Sequence, residues 1–253
     1  MKKNFLIWLS LLLSFNVLTK TVIHVGLLID GSNDNPMNEM SIYVVDNTVS
    51  EVVTGYAEPE PNDEYIDLSG YTVLPGLIDM HVHLTSNQSS TNRYIESTSL
   101  NPADYAIRSV SNAKKTLLAG FTTVRNLGDS DAVTISLRNE ISKGTVIGPR
   151  IFTAGKSIAS TGGHADGTNS LNKELSSDPG PMDGIINSSD DAYKAVRHRY
   201  KEGADLIKIT ATGGVLSNAK NGQNPQMTEE EIRSIVDAAR DYGFKVAAHA
   251  HGS

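Results

Sequence analysis

The sequence predicts an α/β fold, with parallel strands joined by crossover helices after a small β domain, and three observations carry that expectation. From Pro75 onward, five short apolar runs alternate with four amphipathic stretches, the pattern of strand–helix–strand units. Before Pro75 the apolar runs are separated by turn residues alone, as in a sheet of hairpins. At the junction, Leu74-Pro75-Gly76-Leu77-Ile78-Asp79-Met80-His81-Val82-His83-Leu84 ends an apolar run in two histidines one residue apart. A (β/α)8 TIM-type barrel, incomplete here at about five strands, is the leading arrangement. A doubly wound open sheet is the alternative, weakened in its dinucleotide-binding form because no G-x-G-x-x-G follows the first strand.

The elements follow in order. Met1-Lys2-Lys3-Asn4 and the apolar run 5–15 have the basic start and short hydrophobic stretch of a secretory signal. The run is short for a bilayer span, and processing is placed between Ser14 and Thr21. The absence of a clear small-x-small site keeps an uncleaved anchor as the alternative. Export to the periplasm or medium is expected, with no stable membrane span after signal removal. The boundaries are thus 1–20 for the signal, 21–74 for a small β-sandwich-like domain and 75–253 for the barrel strands. Within the first domain, 22–29, 41–45 and 49–53 read as strands of an antiparallel sheet, and the acidic, proline-bearing stretch 57–64 as a surface loop.

Past Pro75, Asn101 caps a helix with Pro102 at its first position, stopped by Gly120. A strand over 121–125, a helix over 131–142 and a strand over 150–154 follow. The Gly/Ser/Asn/Asp-rich segment 155–188 reads as a long connection. Then come a helix over 190–201, a strand over 206–210, a helix over 228–242 with Thr228 and Glu231 as its capping box, and a strand over 245–250.

Composition narrows the chemistry. A formal net charge of −7 without a basic stripe argues against a nucleic-acid partner. The chain has 0 cysteines, so thiolate ligands, disulfides and a cysteine nucleophile are excluded. Any metal must be held by nitrogen and oxygen. Alternation along a strand puts His81 and His83 on one face, about 6–7 Å apart by strand rise and within reach of one Zn²⁺. A structural or surface pair is the bland alternative.

In a barrel, chemistry sits at the carboxyl ends of strands. The fourth strand offers Lys208, between Ile207 and Ile209, and the fifth offers His249 and His251. A lysine in a strand buried on both faces is costly as a cation, so its pKa should fall. A neutral amine can take up carbon dioxide as a carbamate, which turns it into a carboxylate able to bridge two metals. A snorkelling surface lysine is the alternative.

These residues in this order resemble the amidohydrolase superfamily, in particular its prolidase-like and imidazolonepropionase-like branch. The likeness rests on the Pro-Gly-Leu-Ile-Asp-x-His-x-His strand, on Gly120-Phe121-Thr122-Thr123-Val124-Arg125, and on Gly148-Pro149-Arg150. Thr161-Gly162-Gly163-His164-Ala165-Asp166, Lys208 and His249 complete it. The resemblance implies two zinc ions, other divalent metals being alternatives, held by His81 and His83, by a carbamylated Lys208 as bridge and catalytic group, and by His249. It implies hydrolysis of the amide bond of a small substrate: an Xaa-Pro-like dipeptide, an N-acyl amino acid or, alternatively, a cyclic amide of the imidazolonepropionate kind. His164 is a candidate substrate residue, His251 a substrate, outer-shell or capping residue, and Arg125 a structural or substrate charge partner. His24 and His198 read as surface or packing residues.

The pattern breaks at Ser253. The family's strand-six histidine and strand-eight aspartate, and the carboxyl-terminal segment that completes the small sheet, have no counterpart here. The expectation is an amino-terminal part of a longer enzyme or a truncated product, inactive alone. A homo-oligomer, a complementing carboxyl-terminal segment and a noncatalytic partner role are the associated alternatives.

Overall fold

The computed structural model describes residues 20–86, 95–96, 98–215 and 222–251. The proposed leader at 1–20 lies, except for Lys20, outside the described residues. Among the described residues, no helix is long and apolar enough to cross a membrane. The chain divides into two compact units, Met1–Pro75 and Gly76–Ser253.

The first unit is one sheet in the order β3-β2-β1-β4, built from β1 (Thr21–Leu28), β2 (Met37–Val45), β3 (Thr48–Thr54) and β4 (Glu64–Val73). Asp46 and Asn47 join β2 to β3 with φ of 48° and 63°, the left-handed pair that a two-residue hairpin turn requires. The all-antiparallel expectation needs correction. β4 pairs parallel with β1, and the sequence reading missed it because Asp67, Ser69 and Gly70 interrupt its β-forming residues. Gly26 is required where the two strands close, since a Cβ there would lie 2.1 Å from the Ser69 carbonyl oxygen. Val25, Leu28, Met40 and Ile42 form the core of this sheet. His24 is a packing residue, its Nε2 2.9 Å from the Ala57 carbonyl and its Nδ1 3.0 Å from the Tyr65 hydroxyl.

The second unit carries parallel strands β5 (Leu77–Val82), β6 (Phe121–Asn126) and β7 (Arg150–Thr153) in one sheet. The later strands β10 (Ile207–Thr210) and β11 (Val246–His249) pair parallel with each other. Backbone bonds join the two groups. Asp205 N–H donates to Thr153 O at 2.8 Å, Ile158 N–H to Lys208 O at 2.8 Å, and Thr210 N–H to Ile158 O at 3.0 Å. The extended chain after β7 therefore continues the ladder, giving a barrel-like arc in the order β5-β6-β7-β10-β11. The segment 155–188, read as a plain connection, also holds β8 (Ala159–Ser160) and β9 (Ile185–Ile186), a parallel pair too short to show as periodicity.

Helices that pack on the arc among the described residues include α1 (Pro102–Leu118), α2 (Val133–Ser142), α3 (Ser189–Glu202) and α4 (Glu229–Asp241). Their ends follow from local chemistry. Asp104 accepts the Asn101 N–H at 2.9 Å, Ser188 Oγ accepts the Asp191 N–H at 3.2 Å, and Thr228 and Glu231 exchange both bonds of a capping box. The start of α2 is a correction, because Asp131 and Ala132 have φ of 56° and 54° and cannot belong to a right-handed helix. Leu84, Ala113, Val124, Leu137 and Ile151 form the core under α1 and α2, and Ile158, Ile186, Val196, Ile207, Ile209 and Ile235 that under α3 and α4. All four residues of β10 are buried, because this strand has a backbone partner on each side and helices over it. β5 has a single paired neighbour, and its Ile78 is 61% exposed.

Candidate functional site

Asp79, His81 and His83 follow the alternation of β5 onto one face. In the β10–β11 ladder, Lys208 stands opposite Ala247 and Thr210 opposite His249, so Lys208, Thr210 and His249 also share a face. All six side chains line one cavity of about 1130 Å³, together with His164 and His251. Arg125 does not line this cavity. Its Nε–H donates to the Met80 carbonyl at 2.7 Å, tying β6 to β5, which is the structural side of its expected role. His198 lies on the α3 surface, 3.5 Å from Glu202.

Two imidazoles are oriented by backbone carbonyls from the loop after the neighbouring strand. His83 Nδ1 lies 3.2 Å from Gly128 O and His249 Nε2 lies 2.8 Å from Gly213 O. A carbonyl only accepts. Neutral His83 is therefore protonated at Nδ1, with its Nε2 lone pair toward the cavity, and neutral His249 is protonated at Nε2, with its lone pair on Nδ1. His81 Nε2 sits 3.3 Å from His83 Nε2, a spacing one shared cation can bridge. His164 stacks on His249 with ring centroids 4.3 Å apart, and Gly214 makes room for both: a Cβ there would lie 2.6 Å from His249 Nε2 and 3.1 Å from His164 Cε1. The His164 backbone N–H donates to Gln226 Oε1 at 2.8 Å, which fixes the loop that carries it. His251 is anchored through its backbone N–H to Thr212 Oγ1 at 2.8 Å, its ring 6.4 Å from that of His249.

The electrostatics favour uncharged nitrogen. Lys208 is 4% exposed. Burial first, and Arg125 second, hold its amine below the usual lysine range. Burial also holds His81 below the usual imidazole value, aided by Lys208, His83 and Arg125 and opposed by Asp79. Neutral nitrogen is the form that binds a metal. Thr210 Oγ1, buried on the cavity wall in the row of His249 and two residues beyond Lys208, has no hydrogen-bond partner among the described residues, an opening for a polar group. Among the described residues, no three His, Asp or Glu side chains close on one point. The imidazoles and the buried Lys208 amine on one cavity wall are nitrogen donors of the kind that fit a divalent metal.

Sequence reasoning missed Gly128, Gly213, Gly214 and Thr210. The one available signal was glycine in the loop that follows a strand ending at a candidate site, which permits close backbone approach.

Comparisons with known proteins give the family. The amidohydrolase family profile matches residues 72–253. The chain is similar to the solved structure of a Xaa-Pro dipeptidase with methionine bound in its active site, with 50% identity and a TM-score of 0.87 over 92% of this chain and 57% of that one. It is also similar to a prolidase complexed with N-methylphosphonate-L-proline, with 33% identity and a TM-score of 0.80 over 92% of this chain and 56% of that one. The ochratoxinase of Aspergillus niger is 27% identical over 248 residues, 92% of this chain and 50% of the relative. The chain thus spans about half the length of the curated relatives it matches. From its motif-bearing strands and the profile they match, the chain belongs to the amidohydrolase family.

Proposed function

We propose that this chain supplies the strand-end ligands of a metal-dependent hydrolase that cleaves the amide bond of small substrates, Xaa-Pro-like dipeptides first among them. The observation that carries the reading is the gathering of His81, His83, Lys208 and His249 on the wall of one cavity. Similarity to the Xaa-Pro dipeptidase and to the prolidase supports the dipeptide class. N-acyl amino acids and cyclic amides are the comparison substrates. The basic, apolar leader supports work outside the cytoplasm.

In this reading His81, His83, His249 and a carbamylated Lys208 would hold the zinc ions. The carbamate forms when the neutral Lys208 amine attacks carbon dioxide: an N–C bond forms, one C=O π bond opens onto oxygen to give the carboxylate, and one N–H proton leaves to solvent. Metal bound there supplies polarisation of the scissile carbonyl and acidification of a water. The chain does the rest. Gly128 O and Gly213 O would select which ring nitrogen of His83 and His249 faces the metals, Thr210 Oγ1 would donate to the carboxylate on Lys208, and His164, stacked on His249, would contact substrate.

The test is hydrolysis by the full-length protein, assayed with Xaa-Pro dipeptides, N-acyl amino acids and imidazolonepropionate. Lys208→Met should lower kcat on the order of 10³-fold or more, since several kcal/mol of charge stabilisation go with the bridge. ¹³C-bicarbonate should label Lys208 as a carbamate in the wild type. Full activity of Lys208→Met would refute the reading, and a preference for the cyclic amide would move the substrate class.

A further inference from the structure

We propose that Asn126 is the positioning residue for His83, holding both the backbone that follows it and the carbonyl that orients its ring. The proposal rests on the reading of His83 as a metal ligand. Asn126 closes β6 opposite Val82 and is 0% exposed. Its Oδ1 accepts the Leu84 N–H at 2.9 Å. Its Nδ2 donates to Gly128 O at 3.3 Å and to Thr134 Oγ1 at 3.3 Å. Gly128 O is the same oxygen that receives His83 Nδ1–H. One side-chain amide thus grips His83 from two sides, through the peptide just after it and through its ring partner.

The grip is itself held by a directed chain of buried hydrogen bonds. Gly155 N–H donates to Thr153 Oγ1, Thr153 Oγ1–H to Thr134 Oγ1, and Thr134 Oγ1–H to the Asp129 carboxylate. Thr134 therefore has lone pairs, and no proton, left for Asn126, which fixes both amide hydrogens of Asn126 as donors. Asn126, Thr134 and Thr153 are all 0% exposed and border the apolar core of Val124 and Leu137. Polar groups there are tolerated only when paired. Packing alone would be served by leucine or valine at 126. What an asparagine adds is an acceptor for a buried N–H and a donor for a carbonyl, and both of those groups serve His83. Glycine is required at 128, since its φ is +142° and an added Cβ would lie 2.8 Å from the Ser157 hydroxyl.

The experiment compares Asn126→Leu, which removes both bonds, with Asn126→Asp, which keeps an acceptor for the Leu84 N–H, in the full-length protein. Nitrogen-15 imidazole spectra of metal-free protein read the His83 tautomer, and chelator competition reads zinc affinity. Wild type should show His83 protonated at Nδ1. Asn126→Leu should add the Nε2-protonated form and weaken zinc binding roughly 10- to 100-fold, and Asn126→Asp, which keeps the acceptor for the Leu84 N–H but has no N–H for Gly128 O, should still show the added tautomer. Unchanged tautomer and affinity in Asn126→Leu would overturn the proposal. So would a wild-type His83 protonated at Nε2, an outcome that does not depend on any variant folding. If His83→Ala binds zinc as tightly as wild type, the metal-ligand reading fails instead, and the tautomer spectra still decide whether Asn126 holds His83.

Discussion

Gly214 is where the imidazoles at the end of β11 are most sensitive to a single atom. Adding a methyl group places a Cβ 2.6 Å from His249 Nε2, a distance that forces the ring, its stack on His164 and its bond to Gly213 O to shift together. Gly214→Ala is expected to weaken zinc binding roughly tenfold or more, read by chelator competition, while the thermal midpoint moves little because the site lies at the strand ends and not in the core. The same residue shows what was readable beforehand. His81, His83, Lys208 and His249 stood out because alternation along a strand and the burial of a lysine are local facts of sequence. Gly128 O and Gly213 O did not, since they meet residues 45 and 36 positions away, and a carbonyl carries no residue-type signature. Asn126 was hidden for the same reason. Its partners are two backbone groups and a threonine, brought together only when β5, β6 and α2 pack.

The same division holds for elements. α4 was legible to the residue at its start, because Thr228 and Glu231 are a reciprocal cap written in four consecutive positions. That cap is expected to contribute about 1 kcal/mol, so Thr228→Ala should lower the midpoint of reversible thermal unfolding by a few degrees. No change would mean that packing of Ile235, 0% exposed under the helix, fixes the helix end without help from the hydroxyl. The four helices and five long parallel strands followed from apolar periodicity and turn residues. β4 did not, because a parallel edge strand with Asp67, Ser69 and Gly70 lacks a clean alternation. The short pair β8 and β9 did not either, since two residues cannot show a period. α2 starts two residues later than its sequence suggests, held off by the left-handed backbone of Asp131 and Ala132.

Across the whole molecule the chemistry is concentrated against its charge. A chain of net −7 gathers five histidines, His81, His83 and His249 among them, and a buried lysine around one cavity, with burial first pressing Lys208 and His81 toward neutrality, aided by Arg125 at Lys208 and by Lys208, His83 and Arg125 at His81. That arrangement disfavours protons and favours a metal, and it is the reason to read the strand ends as a ligand set. It was legible from the order of the strands alone. The orienting carbonyls that select one nitrogen on each ring had to come from the folded chain. The most direct measurement is an anomalous scattering map at the zinc edge, from crystals of the full-length protein grown with zinc and bicarbonate. Metal peaks should lie about 2.0–2.1 Å from the Nε2 atoms of His81 and His83 and from Nδ1 of His249, with density beyond Lys208 Nζ for a carboxylate between them. Zinc bound away from these atoms, beside an unmodified Lys208 amine, would contradict the account.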